Sequence, residues 1–145
     1  MAELLVPISP GELIDKITIL EIKSQRMTDA AKLHNVRTEL ALLNETWRAS
    51  AFSAVDITAE WTGLRDVNGQ LWDIEDRIRD KERDGQFDAV FIELARAVYV
   101  TNDERAAISC SENDHGERRL CAACQRADSE RERLAFELDQ FRKGQ

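Results

Sequence analysis

The chain is short of the residues that punctuate or staple a fold, with 2 Pro, 6 Gly and 3 Cys among 145 residues. So few turn formers exclude an all-β sandwich or barrel, whose many short strands need frequent turns. Three cysteines cannot all pair within one chain, which disfavours a disulfide scaffold and fits a reducing compartment. No apolar run approaches the roughly 18 residues that a membrane span needs, and no basic-then-apolar leader is visible. The expectation is therefore a protein without a membrane span, located in the cytoplasm. Basic charge is also scarce. With 20 Lys and Arg against 28 Asp and Glu, the net charge is -8, which argues against nucleic acid or an anionic membrane as a partner held by bulk electrostatics.

The chain is instead rich in helix-compatible, amphipathic sequence. At 43% hydrophobic and 33% charged it is too apolar for disorder, and its length fits one domain. Residues 2–8 alternate loosely through Leu4, Val6 and Ile8, an extended lead-in in which Pro7 cannot donate to a ladder. Ser9-Pro10-Gly11-Glu12 is a capping box with proline at the first helical position, so a helix starts there and runs to about Met27. Thr28-Asp29 caps a second helix to about Ala49, with Leu33, Val36, Leu40, Leu43 and Trp47 at the 3-4 spacing of an antiparallel or coiled-coil seam.

Ala51 to Val55 read as a connection. Ser53 or Asp56 can cap a long third helix that ends near Asp84, with Gly85 as its stop. A fourth helix runs from about Phe87, with Phe91, Leu94 and Val98 on one stripe. Thr101-Asn102-Asp103-Glu104 is a further capping box at which it could kink or restart. Apolar periodicity is lost from Ser109 to about Arg126 and returns weakly between Ser129 and Phe141. The reading is all-α: four main helices in an up-down bundle or long helical hairpins, plus a short C-terminal helix. It divides into a helical domain over 1–108 and a Cys/His segment with a charged helix over 109–145.

Helical projection places several polar residues among apolar ones. Glu21 projects between Ile14 and Ile17, and Asn68, Glu75 and Arg79 fall between the leucines and tryptophans of the third helix. Arg37 and Asn44 flank the second-helix seam, and Asn102 lies beside Val98 and Phe91. Charges sent to a shared interior must be paired. Glu21, Arg37, Glu75 and Arg79 are thus expected to form an interhelical network that sets the register. The same residues, with Asn68 and Asn102, alternatively line a ligand pocket between helices. Ile19 and Ile22, on the opposite side of the first helix, are covered either by a second layer or by a partner chain. The run Asp73 to Asp84 reads as a solvated face.

Cys110, His115, Cys121 and Cys124 have the spacing C-x4-H-x5-C-x2-C and could hold a structural zinc ion, although the gap between the ligand pairs is short. The bland alternative is three reduced thiols and a solvated histidine. Glu12-x2-Asp15 and Asp73-x2-Asp76 resemble the carboxylate pairs that bind Mg²⁺ in helical bundles, but their spacing puts them mostly on outer faces. Residues 1–108 contain no nucleophile constellation. Three functions remain: a non-catalytic module that binds a protein partner or itself, an enzyme or ligand-binding protein with a polar inter-helix pocket, and a zinc-stapled adaptor. The first needs the fewest assumptions.

Four segments carry a resemblance. They are Pro-Ile-Ser-Pro-Gly-Glu-Leu-Ile-Asp-Lys-Ile-Thr-Ile-Leu-Glu-Ile-Lys (7–23), Asn-Val-Arg-Thr-Glu-Leu (35–40), Leu-Trp-Asp-Ile-Glu-Asp-Arg-Ile-Arg (71–79) and Phe-Ile-Glu-Leu-Ala-Arg-Ala-Val-Tyr-Val-Thr-Asn-Asp-Glu-Arg-Ala (91–106). Together, over about residues 4–108, they resemble a small family of unknown function from bacteria and phages. The resemblance implies no catalytic residue. It implies that Glu12, Asp15, Lys16, Thr18, Glu21, Lys23, Arg37, Asn68, Trp72, Glu75, Arg79, Arg96, Tyr99, Asn102, Asp103 and Arg105 belong to the family pattern. It also implies an association with cell-surface polysaccharide and glycosyltransferase genes, and the ligand-pocket alternative would take a nucleotide or nucleotide sugar. After about Ile108 the chain departs from that pattern. There Cys-Ala-Ala-Cys-Gln resembles half of a zinc finger whose other cysteine pair is missing.

Overall fold

The computed structural model describes residues 4–111. Four helices follow one another: α1 over Pro10–Arg26, α2 over Ala30–Ala49, α3 over Thr58–Arg83 and α4 over Ala89–Ser111, with a short 3-10 turn at Ala51–Ala54. No strand occurs among the described residues, so the fold is all-α. The expected C-terminal helix at 129–141 lies outside the described residues.

Local chemistry explains each start. The Ser9 hydroxyl accepts from the Glu12 N–H at 3.2 Å and the Glu12 carboxylate accepts from the Ser9 N–H at 3.2 Å, the reciprocal capping box. Asp29 accepts from the Lys32 N–H at 2.9 Å and starts α2. Asp56, rather than Ser53, receives the Thr58 N–H at 3.1 Å and the Thr58 hydroxyl at 2.7 Å ahead of α3. Asp88 accepts from the Phe91 N–H at 3.0 Å, so α4 begins at Ala89, and Phe87 remains outside it with its ring edge-on to Phe91 at 5.1 Å. Gly85 has φ 65°, in the left-handed region where a residue with a Cβ is strained, and it ends α3.

The restart anticipated at Thr101 does not occur, and α4 is continuous through it. Thr101 is buried two turns beyond the buried Leu94, so the residue that would have capped a new helix sits on the inner stripe of an unbroken one.

Helix α1 is the axis of the molecule. It meets α2, α3 and α4, whereas α2 packs against α1 and the 3-10 turn, and α3 and α4 form a second antiparallel hairpin. Leu13, Ile14, Ile17, Leu20 and Ile22 of α1 are buried with Leu64, Val67 and Leu71 of α3 and Leu94 of α4. Each such side chain contributes about 1.5–3 kcal/mol on burial. Ile22, expected to await a covering layer or partner, is covered within the chain, and Ile19 is partly covered. Helix α2 buries no residue fully. Leu33, Val36, Leu40, Leu43 and Trp47 all stay partly exposed, because a seam flanked by one helix is closed on one side only. The rings of Trp47 and Trp61, 6.1 Å apart and edge-on, link the end of α2 to the start of α3.

Two glycines set the helix approach. A methyl group on Gly11 would overlap the carbonyl oxygen of Ser109, so α1 and α4 touch backbone to backbone there. At Gly63 a methyl would meet the Ile108 side chain at 3.3 Å. Gly69, in mid-α3, has no atom within 4 Å of such a methyl. Gly11→Ala is therefore expected to destabilise the fold by about 1–3 kcal/mol through forced separation of α1 from α4. Gly69→Ala should stabilise it by about 0.5–1 kcal/mol through helix propensity. Urea unfolding of both variants measures the two changes, and equal effects would contradict the close approach at Gly11.

Candidate functional site

The polar residues inside the bundle centre on α1. Asn68 of α3 is buried and donates from Nδ2 to the Asp15 carboxylate at 2.8 Å and to the Thr18 hydroxyl at 3.0 Å. The Thr18 hydroxyl spends its own proton on the Asp15 carbonyl at 2.9 Å, which leaves its oxygen free to accept. The other Asp15 oxygen faces Arg105 Nε of α4 at 4.0 Å. One carboxylate thus joins three helices. Helical projection of α1 alone puts Asp15 on an outer face. A third helix packs over that side of α1, and the residue therefore lies at a junction.

Of the six ligand-pocket candidates, Asn68 alone is buried. Glu21 is mostly covered. Its neighbour is Arg65, with Nη2 3.3 Å from Oε2, an ion pair off the line of a hydrogen bond that leaves this solvent-inaccessible oxygen without one. Glu75 and Arg79 are over half exposed and pair with one another at 3.7 Å, while Arg79 also holds Asp76 at 2.8 Å. These carboxylates, Asp76 first, push the Arg79 guanidinium above its ordinary pKa. Arg37 is exposed on α2 and Asn102 is partly exposed on α4. The anticipated convergence of Glu21, Arg37, Glu75 and Arg79 is therefore not formed.

The reason is length. At 1.5 Å per residue, the 26 residues of α3 outrun the 17 of α1 by about 13 Å. The C-terminal residue of α1, Arg26, already pairs with Asp73. Glu75 and Arg79 point in the inward direction but beyond the end of α1. The rest of the run to Asp84 is the solvated face expected, with Arg83 paired to Asp80.

A polar groove of about 450 Å³ opens between the second half of α1 and the middle of α3, lined by Gln25, Arg26, Arg65, Asp66, Gly69 and Asp73 among others. Projection missed it because its walls are exposed residues. The mid-helix Gly69 was the available signal.

Among the metal candidates, Cys110 is described. It is buried in the last turn of α4 and is disulfide-bonded, a state in which its sulfur is not a zinc thiolate, so reduction would have to precede any metal binding. His115, Cys121 and Cys124 lie outside the described residues. No group of three or more metal-ligating side chains occurs among the described residues, and none of their helices is long and apolar enough to cross a membrane.

These features define an all-α protein with a tightly keyed central helix. A family model described as "Family of unknown function (DUF6165)" matches residues 4–120, and the chain belongs to that family. The match begins where the sequence resemblance begins and continues past Ile108. No curated protein and no solved structure matches the chain.

Two predictions follow from the buried and capping groups. Asn68→Ala removes the donor shared by Asp15 and Thr18 and should cost about 1–3 kcal/mol in urea unfolding, whereas Glu75→Ala should stay within about 0.5 kcal/mol. A second concerns acid. The Lys81 ammonium, then the Phe91 N–H, hold the Asp88 carboxyl below its ordinary 3.8, and the Thr58 hydroxyl and N–H lower Asp56 likewise. A lowered folded-state pKa favours folding above the unfolded value and loses that contribution as pH falls through the folded one. Wild-type stability should therefore decline below about pH 4. Asp88→Asn, which cannot titrate, should show a shallower decline in urea midpoint over the same range.

Proposed function

We propose that the protein is a non-catalytic interaction module whose working surface is the outer face of α4. The carrying observation is the exposure of large apolar side chains there: Ile92 is 50%, Tyr99 58% and Val100 48% exposed. Apolar residues run round the whole of α4. Its inner stripe of Leu94 and Thr101 satisfies the bundle, and its outer stripe satisfies nothing among the described residues. A helix apolar all round is ordinarily buried all round, so the outer stripe is a surface in search of cover.

A photoreactive amino acid at position 99 should crosslink in vivo to a defined protein, either this chain or another. The same probe at Glu82, exposed on α3, should not. No crosslinked protein from position 99 would overturn the interaction reading.

One observation favours a second reading, a ligand site in the α1–α3 groove. Gly11, Gly63 and Gly85 have steric or conformational reasons to be glycine, and Gly69 has neither yet lies in the groove. The cost of a mid-helix glycine without packing purpose is about 0.5–1 kcal/mol. Nucleotides or nucleotide sugars, with or without Mg²⁺, are the ligands this reading takes. At about 100-fold excess over Kd, a true ligand adds about 2.7 kcal/mol of stability. A thermal shift that Gly69→Val abolishes would establish the groove as its site, and no shift with any of these compounds would remove the reading.

A further inference from the structure

The outer face of α4 carries a pattern that its exposure alone does not require. At about 100° per residue, Ile92, Arg96, Tyr99, Val100, Asp103 and Ala107 fall within one side of the helix. Their numbers are symmetric about the midpoint between Tyr99 and Val100. Arg96 and Asp103 flank that midpoint at equal spacing, and so do Ile92 and Ala107. All six are exposed or partly exposed, and neither Arg96 nor Asp103 forms an ion pair among the described residues.

A surface that pairs with its own copy across a two-fold axis must be self-complementary: whatever residue i meets, it must also be met by. We infer that α4 docks antiparallel on α4 of a second copy, with the two-fold axis passing between Tyr99 and Val100. In that arrangement Tyr99 lies against Val100 of the second copy, and the reverse contact repeats across the axis. Arg96 comes opposite Asp103 of the second copy and Asp103 opposite Arg96 of the second copy. Two unpaired charges of opposite sign become two ion pairs, and the central apolar patch is covered. A parallel arrangement sets Arg96 opposite Arg96 of the second copy and Asp103 opposite Asp103 of the second copy, so the charges select the direction as well as the partner.

Charge complementarity is what commits this face to a second copy. Opposite charges seven residues apart on one side of a helix are paired twice, and both satisfied, by an antiparallel copy of that same side. The inference rests on the interaction reading above and narrows it to self-association. The contact spans about 24 Å of helix from Ile92 to Ala107, enough for two turns on either side of the axis.

The test uses the full 145-residue chain and light scattering coupled to size exclusion at micromolar concentration. The wild type should be a dimer. Arg96→Asp places acid opposite acid twice, and Asp103→Arg places base opposite base twice. Each should raise the dimer dissociation constant about tenfold or more while circular dichroism shows unchanged helicity, since both sites are on the surface. Mixing the two variants restores both pairs in the heterodimer alone, so the mixture should regain the wild-type dimer mass. The intramolecular double change Arg96→Asp with Asp103→Arg should also dimerise. A monomeric wild type overturns the inference, and so does a wild-type dimer that neither reversal weakens, or a mixture that stays monomeric. Position-99 crosslinking to a different protein, together with a monomeric wild type, would overturn the two-fold pairing and leave the interaction reading standing.

Discussion

The Asn68 amide is the constraint on which the arrangement turns. Buried in α3, it gives its Nδ2 protons to two α1 acceptors, Asp15 and Thr18, that lie three residues apart and therefore on one side of that helix. A slip of α3 along α1 by one turn leaves a buried amide, a hydroxyl and part of a carboxylate without partners, each at a cost of about 1–3 kcal/mol. Apolar packing alone would tolerate such slips, since Leu64, Val67 and Leu71 are interchangeable in kind. The polar contact makes one register the stable one. Asp15 carries the constraint on to α4 through Arg105. Gly11 against Ser109 fixes how closely α4 can lie.

Much of this order was legible in the sequence because its signals are local. The Ser9-Glu12 box, the Asp29 cap and the Gly85 stop each depend on a few adjacent residues, and the helices follow from them within a residue or two. The inward position of Asn68 was legible as well, since 3.6-residue periodicity reports direction. Periodicity does not report depth. Glu75 and Arg79 point the right way, but α1 has ended before it reaches their level, and helix overlap is a property of the whole bundle. The same gap hid Asp15. Its angle on α1 was correct, and the presence of a third helix on that side was not readable from α1 alone. The break expected at Thr101 failed in a related way, because a capping sequence inside a helix yields to tertiary burial of the capping residue.

The placement of α1 at the centre also shapes the exterior. With three neighbours to serve, α1 saturates its own apolar arc; α2 packs mainly on α1, and α3 and α4 pack on α1 and on each other. Helix α2 is therefore a partly covered arm. Helix α4 is covered on one side by the core, while Ile92, Tyr99 and Val100 on the other are about half exposed, although its composition is apolar on both. The two exposed surfaces differ in kind. That of α2 is a seam of partly covered side chains on which α1 already sits. That of α4 is an exposed side on which Arg96 and Asp103, without ion pairs among the described residues, lie between Ile92 and Ala107.

This difference bears on what the fold can do. A catalytic site in a bundle requires polar groups from several helices at one depth, held by packing. Among the described residues, Asp15 meets Asn68, Thr18 and Arg105 from three helices, and these groups engage one another: Asp15 shares its carboxylate oxygens between Asn68 and Arg105, and the Thr18 hydroxyl both donates and accepts within the chain. On α4, large apolar side chains that the core does not cover lie on the outer side, Ile92, Tyr99 and Val100 among them. Among the described residues, Leu94 and Thr101 of this helix thus turn to the core, and Ile92 and Tyr99 turn away from it.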